Sequence, residues 1–241
     1  MIDSDDARRL LDQYRTRWRS DGFLSGIGFL DVAAMLTRGT LRRCGEDEVL
    51  MSQGESGRSV FLLLDAVVKI STEEPGAPGT RPVLHAFRSS GDIVGEFAFL
   101  AGGQRCATVR TAKRDCVVVE VPFDGLEELV AANPELCLHI GASMVEKMRD
   151  QVRRRSEGPC RTQRRLLRAL VELVERYGRE TADGRILDVG MKQQELGSLV
   201  GAGRNVANST LAELRSEGII ETQRAAILVL DMGRLRARAE L

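Results

Sequence analysis

Between Leu41 and Pro122 the chain reads as a series of short β-prone runs separated by turn residues, and this pattern limits the fold more than any other. The runs are Val49-Leu50-Met51, Val60 to Ile70, Val83 to Phe87 and Cys116 to Val121. Gly45, Gly54, Gly57, Pro75-Gly76, Pro78-Gly79 and Gly91-Asp92 punctuate them. Many short strands with turns between them predict a β-sandwich or roll. Ahead of it, residues 6–38 read as short helical segments, with Leu10, Leu11 and Tyr14 on one face and Ile27, Leu30, Val32 and Leu36 on another.

After Pro122 the period becomes helical. Asn133-Pro134 supplies a cap followed by a first-turn proline, and the helix is expected to run to about Glu157, where Gly158-Pro159 stops or bends it. Leu136, Ile140, Met144, Val145, Met148 and Val152 keep three-to-four spacing along it, with Glu146, Lys147, Arg149 and Asp150 between them. Such a stripe can cover the β-roll, pack on a second copy, or do both. A single helix bridging two compact parts does both, so a homodimer is expected.

Residues 160–178 form a further helix, with Leu166, Leu167, Leu170, Leu173 and Val174 apolar and Gly178 at its end. A polar loop and a short strand from Arg185 to Val189 follow. Lys192 to Val200 then reads as one helix, Gly201-Ala202-Gly203 as a tight turn, and Arg204 to Glu217 as a second helix closed by Gly218. Two short helices joined by a glycine turn form the arrangement that sets the second helix in a DNA major groove. Ala207, Leu211 and Leu214 make its inward stripe, and Gly197 lets the two helices cross closely. The opposite face presents Arg204, Asn205, Asn208 and Ser209. Arginine can take guanine bidentately and asparagine can take adenine, so this face is equipped to read base edges, although a solvated polar face on a plain helical hairpin has the same composition. Two short strands around a turn, through Gly218-Ile219-Ile220, Thr222-Gln223-Arg224 and Ile227 to Leu230, add a wing. Arg224 at its tip, with Lys192 and Gln193 at the start of the first helix, would serve phosphate contacts or remain solvated.

Charge agrees with a polyanionic partner. The chain is neutral overall, but residues 1–140 carry 16 Lys and Arg against 21 Asp and Glu, whereas residues 141–241 carry 19 against 14. No run of about 18 apolar residues exists, and Asp3, Asp5 and Asp6 precede any apolar segment, so a membrane span or signal peptide is not expected and the cytoplasm is. The five cysteines are odd in number and never paired as Cys-x-x-Cys, which argues against a disulfide framework or zinc site. No nucleophile–base pair or paired catalytic carboxylates can be assembled, so no enzyme is expected. His85 and His139 are read as structural residues.

The most informative N-terminal segment is Gly91-Asp92-Ile93-Val94-Gly95-Glu96-Phe97-Ala98-Phe99-Leu100, followed by Ala101 to Gln104 and Arg105-Cys106-Ala107-Thr108-Val109-Arg110. A glycine before a short helix, with an arginine nearby, makes a site for one phosphate, and Glu96 could accept from a ribose hydroxyl. The plain alternative is that Arg105 and Glu96 pair with each other across a turn. The segment closely resembles the phosphate-binding cassette of cyclic-nucleotide-binding domains, and the chain from about Gly22 to Asp231 resembles the CRP/FNR regulator family.

That resemblance implies an α+β chain with a cyclic-nucleotide-binding-type β-roll over residues 1–132, a dimerisation helix over 133–157 and a winged helix-turn-helix over 158–241. It implies a transcription regulator that binds double-stranded DNA at a pseudo-palindromic operator, with RNA polymerase as a further partner. The implied effector is a cyclic nucleotide, cAMP or cGMP, held by Gly95, Glu96, Phe97, Ala98, Arg105, Cys106, Lys147 and Gln151. Arg105 would hold the cyclic phosphate and Glu96 the ribose 2′-hydroxyl. The chain departs from the pattern in five places, one of them Ala66, which stands where a glycine is common in the roll. Cys106 stands where serine or threonine is common, Lys147 replaces an arginine near the phosphate, and Gln151-Val152 replaces the polar turn that reads adenine. Asn205 stands where a glutamate reads cytosine. The first 43 residues lack the cysteines of the iron–sulfur branch. A regulator with a vestigial pocket and a nucleotide-binding interaction module are the competing expectations.

Overall fold

The computed structural model describes residues 2–73, 82–155, 162–223 and 225–240. They divide into two compact units, one drawn from 2–73 and 87–148, the other from 82–86 and 149–240.

The first unit opens with α1 (Ser4–Tyr14), whose N-terminus is capped by the Asp3 carboxylate accepting from the Asp6 amide at 2.7 Å. Short α2 (Phe23–Gly26) and α3 (Phe29–Thr37) follow. Helix α3 buries Val32, Met35 and Leu36. Leu30, expected on that inner face, is instead exposed. It stands two residues from Val32, about 200° round a helix, and so points outward. Then come β1 (Thr40–Cys44), β2 (Val49–Met51), β3 (Ser59–Asp65), β4 (Val67–Thr72), β5 (Val83–Ser89) and β6 (Ile93–Val94). Helix α4 (Glu96–Ala101), β7 (Thr108–Thr111), β8 (Cys116–Pro122), α5 (Phe123–Ala132) and α6 (Glu135–Arg155) complete the N-terminal series.

Two antiparallel four-stranded sheets, in the orders β1-β8-β3-β6 and β2-β7-β4-β5, make the roll. Strand β3 is apolar without alternation because both of its faces are covered. Val60, Leu62 and Leu64 join Leu11, Val32, Leu36 and Leu126 under the helices, while Phe61 and Leu63 face Met51, Val68 and Val109 of the other sheet. Strand β8 divides in the same way, Val117, Val119 and Val121 to the helices, Cys116 and Val118 to the sheet. Cys44 and Cys116 lie opposite each other in the β1–β8 register, both buried and both free thiols. Burial, reinforced by Glu48, pushes the Cys44 thiol up to about 11, so it serves as an uncharged filler.

The single expected run from Val60 to Ile70 is two strands in different sheets, broken at Ala66. Strands β1, β6 and β7 add to those expected: Thr-Leu-Arg-Arg-Cys and Thr-Val-Arg-Thr carry too few apolar residues to stand out, and Ile93-Val94 is too short. The lead-in is pinned to the end of β3. The Trp18 indole donates to the Leu64 carbonyl at 3.0 Å, and Asp65 accepts from both Arg17 and Lys113.

The second unit contains α7 (Thr162–Tyr177), β9 (Arg179–Thr181), β10 (Gly184–Asp188), α8 (Gln193–Leu199), α9 (Arg204–Ser216), β11 (Ile220–Thr222), β12 (Ala226–Val229) and α10 (Met232–Glu240). Its antiparallel sheet runs β11-β12-β10-β9. The five expected apolar positions of α7 are all buried. Strand β9 and helix α10 are further additions. The inward pair Leu235 and Ala239 is hidden in the sequence by Arg234, Arg236 and Arg238, which tie α10 down: Arg234 to the Glu217 carbonyl at 3.0 Å, Arg236 to Glu175 at 2.8 Å, Arg238 to the Glu217 carboxylate at 3.1 Å. The expected hinge at Glu157-Gly158-Pro159 lies outside the described residues, as does Cys160.

Because Leu62 is fully enclosed between helices and strands, Leu62→Ala is expected to cost about 2–5 kcal/mol. The check is the denaturant midpoint of the full chain. A shift equivalent to less than about 1 kcal/mol would contradict this account of the core.

Candidate functional site

The cassette grows out of strand pairing. Leu62 pairs with Ile93 and Phe61 with Val94, which brings β6 to the edge of the first sheet, and the chain then turns at Gly95. Gly95 has φ +93°, and a Cβ there would lie 2.7 Å from the Arg105 Nη1 and 3.1 Å from the Ser59 carbonyl oxygen. No side chain fits that space at that backbone angle. Glu96 follows as the first residue of α4, and it and Ala98 are buried; Phe97 is half-buried.

Arg105 is buried. Its Nη1 donates to the Gly95 carbonyl at 3.1 Å and its Nη2 to the Ser59 carbonyl at 2.6 Å, and the guanidinium lies over the Phe123 ring. Burial pulls its pKa below the usual arginine value, against the opposing pull of Glu120 and Glu55. The simple pair between Arg105 and Glu96 is not formed. Glu96 is held by Lys147 of α6, whose Nζ reaches Glu96 Oε1 at 2.6 Å and the Ile93 carbonyl at 2.6 Å. The long helix thus inserts a cation into the place where the resemblance put a ribose hydroxyl. Cys106 is exposed, and Gln151 lies one turn beyond Lys147, half-buried. A further buried cation, Arg88 on β5, is one that sequence reasoning misses. Its signal is there: Leu84, Ala86 and Arg88 share one face of a strand, and the third member breaks an apolar pattern.

The helix pair of the second unit is built as expected. The Glu195 carboxylate accepts from the Lys192 amide at 2.6 Å, closing the first turn of α8. A Cβ on Gly197 would come 2.9 Å from the Ala202 carbonyl oxygen and 3.3 Å from the Ala207 Cβ, so the crossing with α9 needs glycine. Ala207, Thr210, Leu211 and Leu214 are buried, and Arg204, Asn205, Asn208 and Ser209 are exposed at the opposite, N-terminal part of α9. The Ser209 hydroxyl donates to the Val206 carbonyl at 3.1 Å. Lys192 is exposed; the Gln193 side chain and Arg224 lie outside the described residues. Behind the wing, β12 pairs with both β11 and β10. Arg215 Nη1 donates to the Thr222 hydroxyl at 3.0 Å, tying the end of α9 to the wing strand, a link between residues seven apart that no local pattern announces. Among the described residues no group of His, Cys, Asp and Glu could hold a metal, and no helix is long and apolar enough to cross a membrane.

Residues 41–133 match the cyclic nucleotide-binding domain, and residues 164–238 the Crp-like helix-turn-helix domain. Similar proteins include the CRP-like cAMP-activated global transcriptional regulator of Mycobacterium tuberculosis, 25% identical over 195 residues that span 79% of this chain and 84% of the relative. The cAMP-activated global transcriptional regulator CRP of Escherichia coli O157:H7 is 24% identical over 185 residues, spanning 75% and 84%. Solved structures of similar fold include a CRP-family transcriptional regulator from Thermus thermophilus, with TM-score 0.67 and 21% identity over 83% of this chain and 97% of that one. The c-di-GMP-responsive global regulator CLP of Xanthomonas campestris has TM-score 0.68 and 20% identity over 85% and 100%.

Gly197→Ala is expected to cost about 1–3 kcal/mol through overpacking against the Ala202 carbonyl. Thermal unfolding of the full chain measures it, and an unchanged transition would mean that the helices do not cross as closely as described.

Proposed function

Because the chain belongs to the CRP/FNR family of transcription regulators, we propose that it works as a two-fold homodimer whose paired α9 helices read a pseudo-palindromic operator under control of an effector in the β-roll. It is a transcription regulator with a nucleotide-binding and a DNA-binding domain. The carrying observation is the face of α9 formed by Arg204, Asn205, Asn208 and Ser209, exposed while Ala207, Leu211 and Leu214 anchor the helix from behind. Arginine and asparagine at the N-terminal part of such a helix reach guanine and adenine edges, while Lys192, Gln193 and Arg224 supply backbone contacts.

Dimerisation is supported by α6. Leu138, Gly141, Val145, Met148 and Val152 follow one another at three, four, three and four residues, the spacing of a coiled-coil seam. The apolar members are exposed, Leu138 at 74% and Val152 at 65%. Leu136 and Ile140, placed with them by the sequence, belong to the core of the roll, and Leu138 takes their place on the outer line. In a two-fold pair joined along this seam the two recognition helices are related by the same axis; operator half-sites about 34 Å apart match that symmetry.

The effector reading rests on Gly95, Glu96, Phe97, Ala98, Arg105, Cys106, Lys147 and Gln151, with a cyclic nucleotide such as cAMP, the effector in the printed names of the M. tuberculosis and E. coli relatives, as the first candidate. A ligand hydroxyl that takes Glu96 competes with Lys147 and so changes how α6 is held. The ligand acts through its differential affinity for the DNA-competent geometry. On this reading the chain catalyses nothing, acts in the cytoplasm and meets RNA polymerase at the promoter.

Arg204→Ala should cost about 1–3 kcal/mol at one operator position and little on random DNA, measured by competition binding. An equal loss on both would make Arg204 a phosphate contact. Met148→Asp should turn the dimer into a monomer in sedimentation analysis and abolish tight operator binding; a dimer that persists would place the interface elsewhere.

A further inference from the structure

Arg105 is buried, and the hydrogen bonds that the described residues give its guanidinium end on Gly95 and Ser59, all of them neutral groups. A buried cation held in this way is costly unless a negative charge stands near. Glu96, the cassette's own carboxylate, does not meet the need, because Lys147 neutralises it at 2.6 Å.

Glu120 of β8 is placed to do so. Strands β3 and β8 pair Phe61 with Glu120, and β1 and β8 pair Arg42 with Val118. Side chains directly across an antiparallel ladder share a face, as do those two residues along, so Ser59, Phe61, Glu120 and Arg42 lie on one face of three neighbouring strands. On that face the Ser59 hydroxyl donates to Glu120 Oε1 at 2.9 Å and lies 3.5 Å from Arg105 Nη2. One serine therefore separates the carboxylate from the guanidinium. Among the carboxylates around Arg105, Glu120 does most to favour the charged form against burial. Its other oxygen, Oε2, accepts from Arg42 Nη1 at 3.0 Å, and Arg42 turns Nη2 to Glu48 at 3.2 Å.

We infer that Glu120 is the resident counter-charge of Arg105 and, together with Arg42, sets how strongly the roll draws the anionic group of its effector. This rests on the reading of Arg105 as the holder of the effector's phosphate. A phosphate that reaches Arg105 gains the guanidinium and is repelled by the carboxylate behind Ser59. Arg42 offsets that repulsion, so the two members of one ion pair act on the ligand in opposite directions. Neither belongs to the cassette segment. Their side chains are 34% and 35% exposed, so water screens the effect and leaves a change of a few-fold in affinity.

Equilibrium binding of cyclic AMP to the full-length protein tests this with variants that remove one charge each. Glu120→Gln keeps an acceptor for the Ser59 hydroxyl and should tighten binding roughly threefold or more, and Arg42→Gln should weaken it by a similar factor. Arg42→Lys, which keeps the charge, should bind nearly as the wild type does. Adenosine, which lacks the phosphate, should respond to none of the three. A role confined to packing, or to orienting Arg105, predicts weaker binding in Glu120→Gln and in Arg42→Gln alike, and that outcome overturns the inference while leaving the effector reading intact. Affinities unchanged in both variants overturn it as well, as does an adenosine response equal to that of cyclic AMP. If Glu120→Gln does not fold, the Arg42 pair still decides: Arg42→Lys as weak as Arg42→Gln rules out an effect of charge. Failure of the wild-type protein to bind cyclic AMP at all removes the effector reading itself and the inference with it.

Discussion

Burial of β3 on both faces is the constraint from which the first unit is organised. Val60, Leu62 and Leu64 close the helical side, Phe61 and Leu63 the inter-sheet side, so the strand cannot slip by one residue without exchanging two sets of core contacts. The candidate site hangs from this strand at two points, and the helical lead-in at a third. Its pairing with β6 aims the chain at Gly95, its Ser59 carbonyl receives Arg105, and its far end carries the Asp65 carboxylate that holds the lead-in. The position of the cassette arginine is thus a result of core packing, and the two cannot be altered separately.

Helix α6 presents two faces. Leu136 and Ile140 enter the core and Lys147, seven residues beyond Ile140 on the same face, enters the cassette, while the line from Leu138 to Val152 is exposed. A helix can do this because residues three or four apart share a direction while adjacent residues diverge by about 100°. Lys147 holds Glu96 from the same helix that exposes this line, so on the proposed dimer a disturbance at the cassette would act on the pairing surface directly.

Much of this is legible in the residues. The buried stripe of α9, its polar outer face, the glycine turn and the apolar face of α7 follow from local spacing, and the structure has them where the spacing puts them. What stays hidden depends on contacts distant in sequence. Leu30 reads as inward until the start of α3 fixes its angle. The stripe on α6 merges two faces because spacing alone does not say which neighbour each face meets. The polar strands β1 and β7 exist because their partners, β8 in one sheet and β2 and β4 in the other, supply the ladder. In the cassette, Gly95, Glu96 and Arg105 are recognisable as a group, but their pairing is not. Lys147 comes from 51 residues further on to take Glu96, and Arg105 turns to backbone carbonyls.

Lys147 and Met148 are consecutive, one turned into the cassette and the other out along the seam. On the proposed dimer, a rotation of α6 that seats Met148 deeper against a second copy would draw the ammonium away from Glu96. Among natural variants of this chain, changes at these two sites should therefore be inherited together, as a linked pair under joint selection.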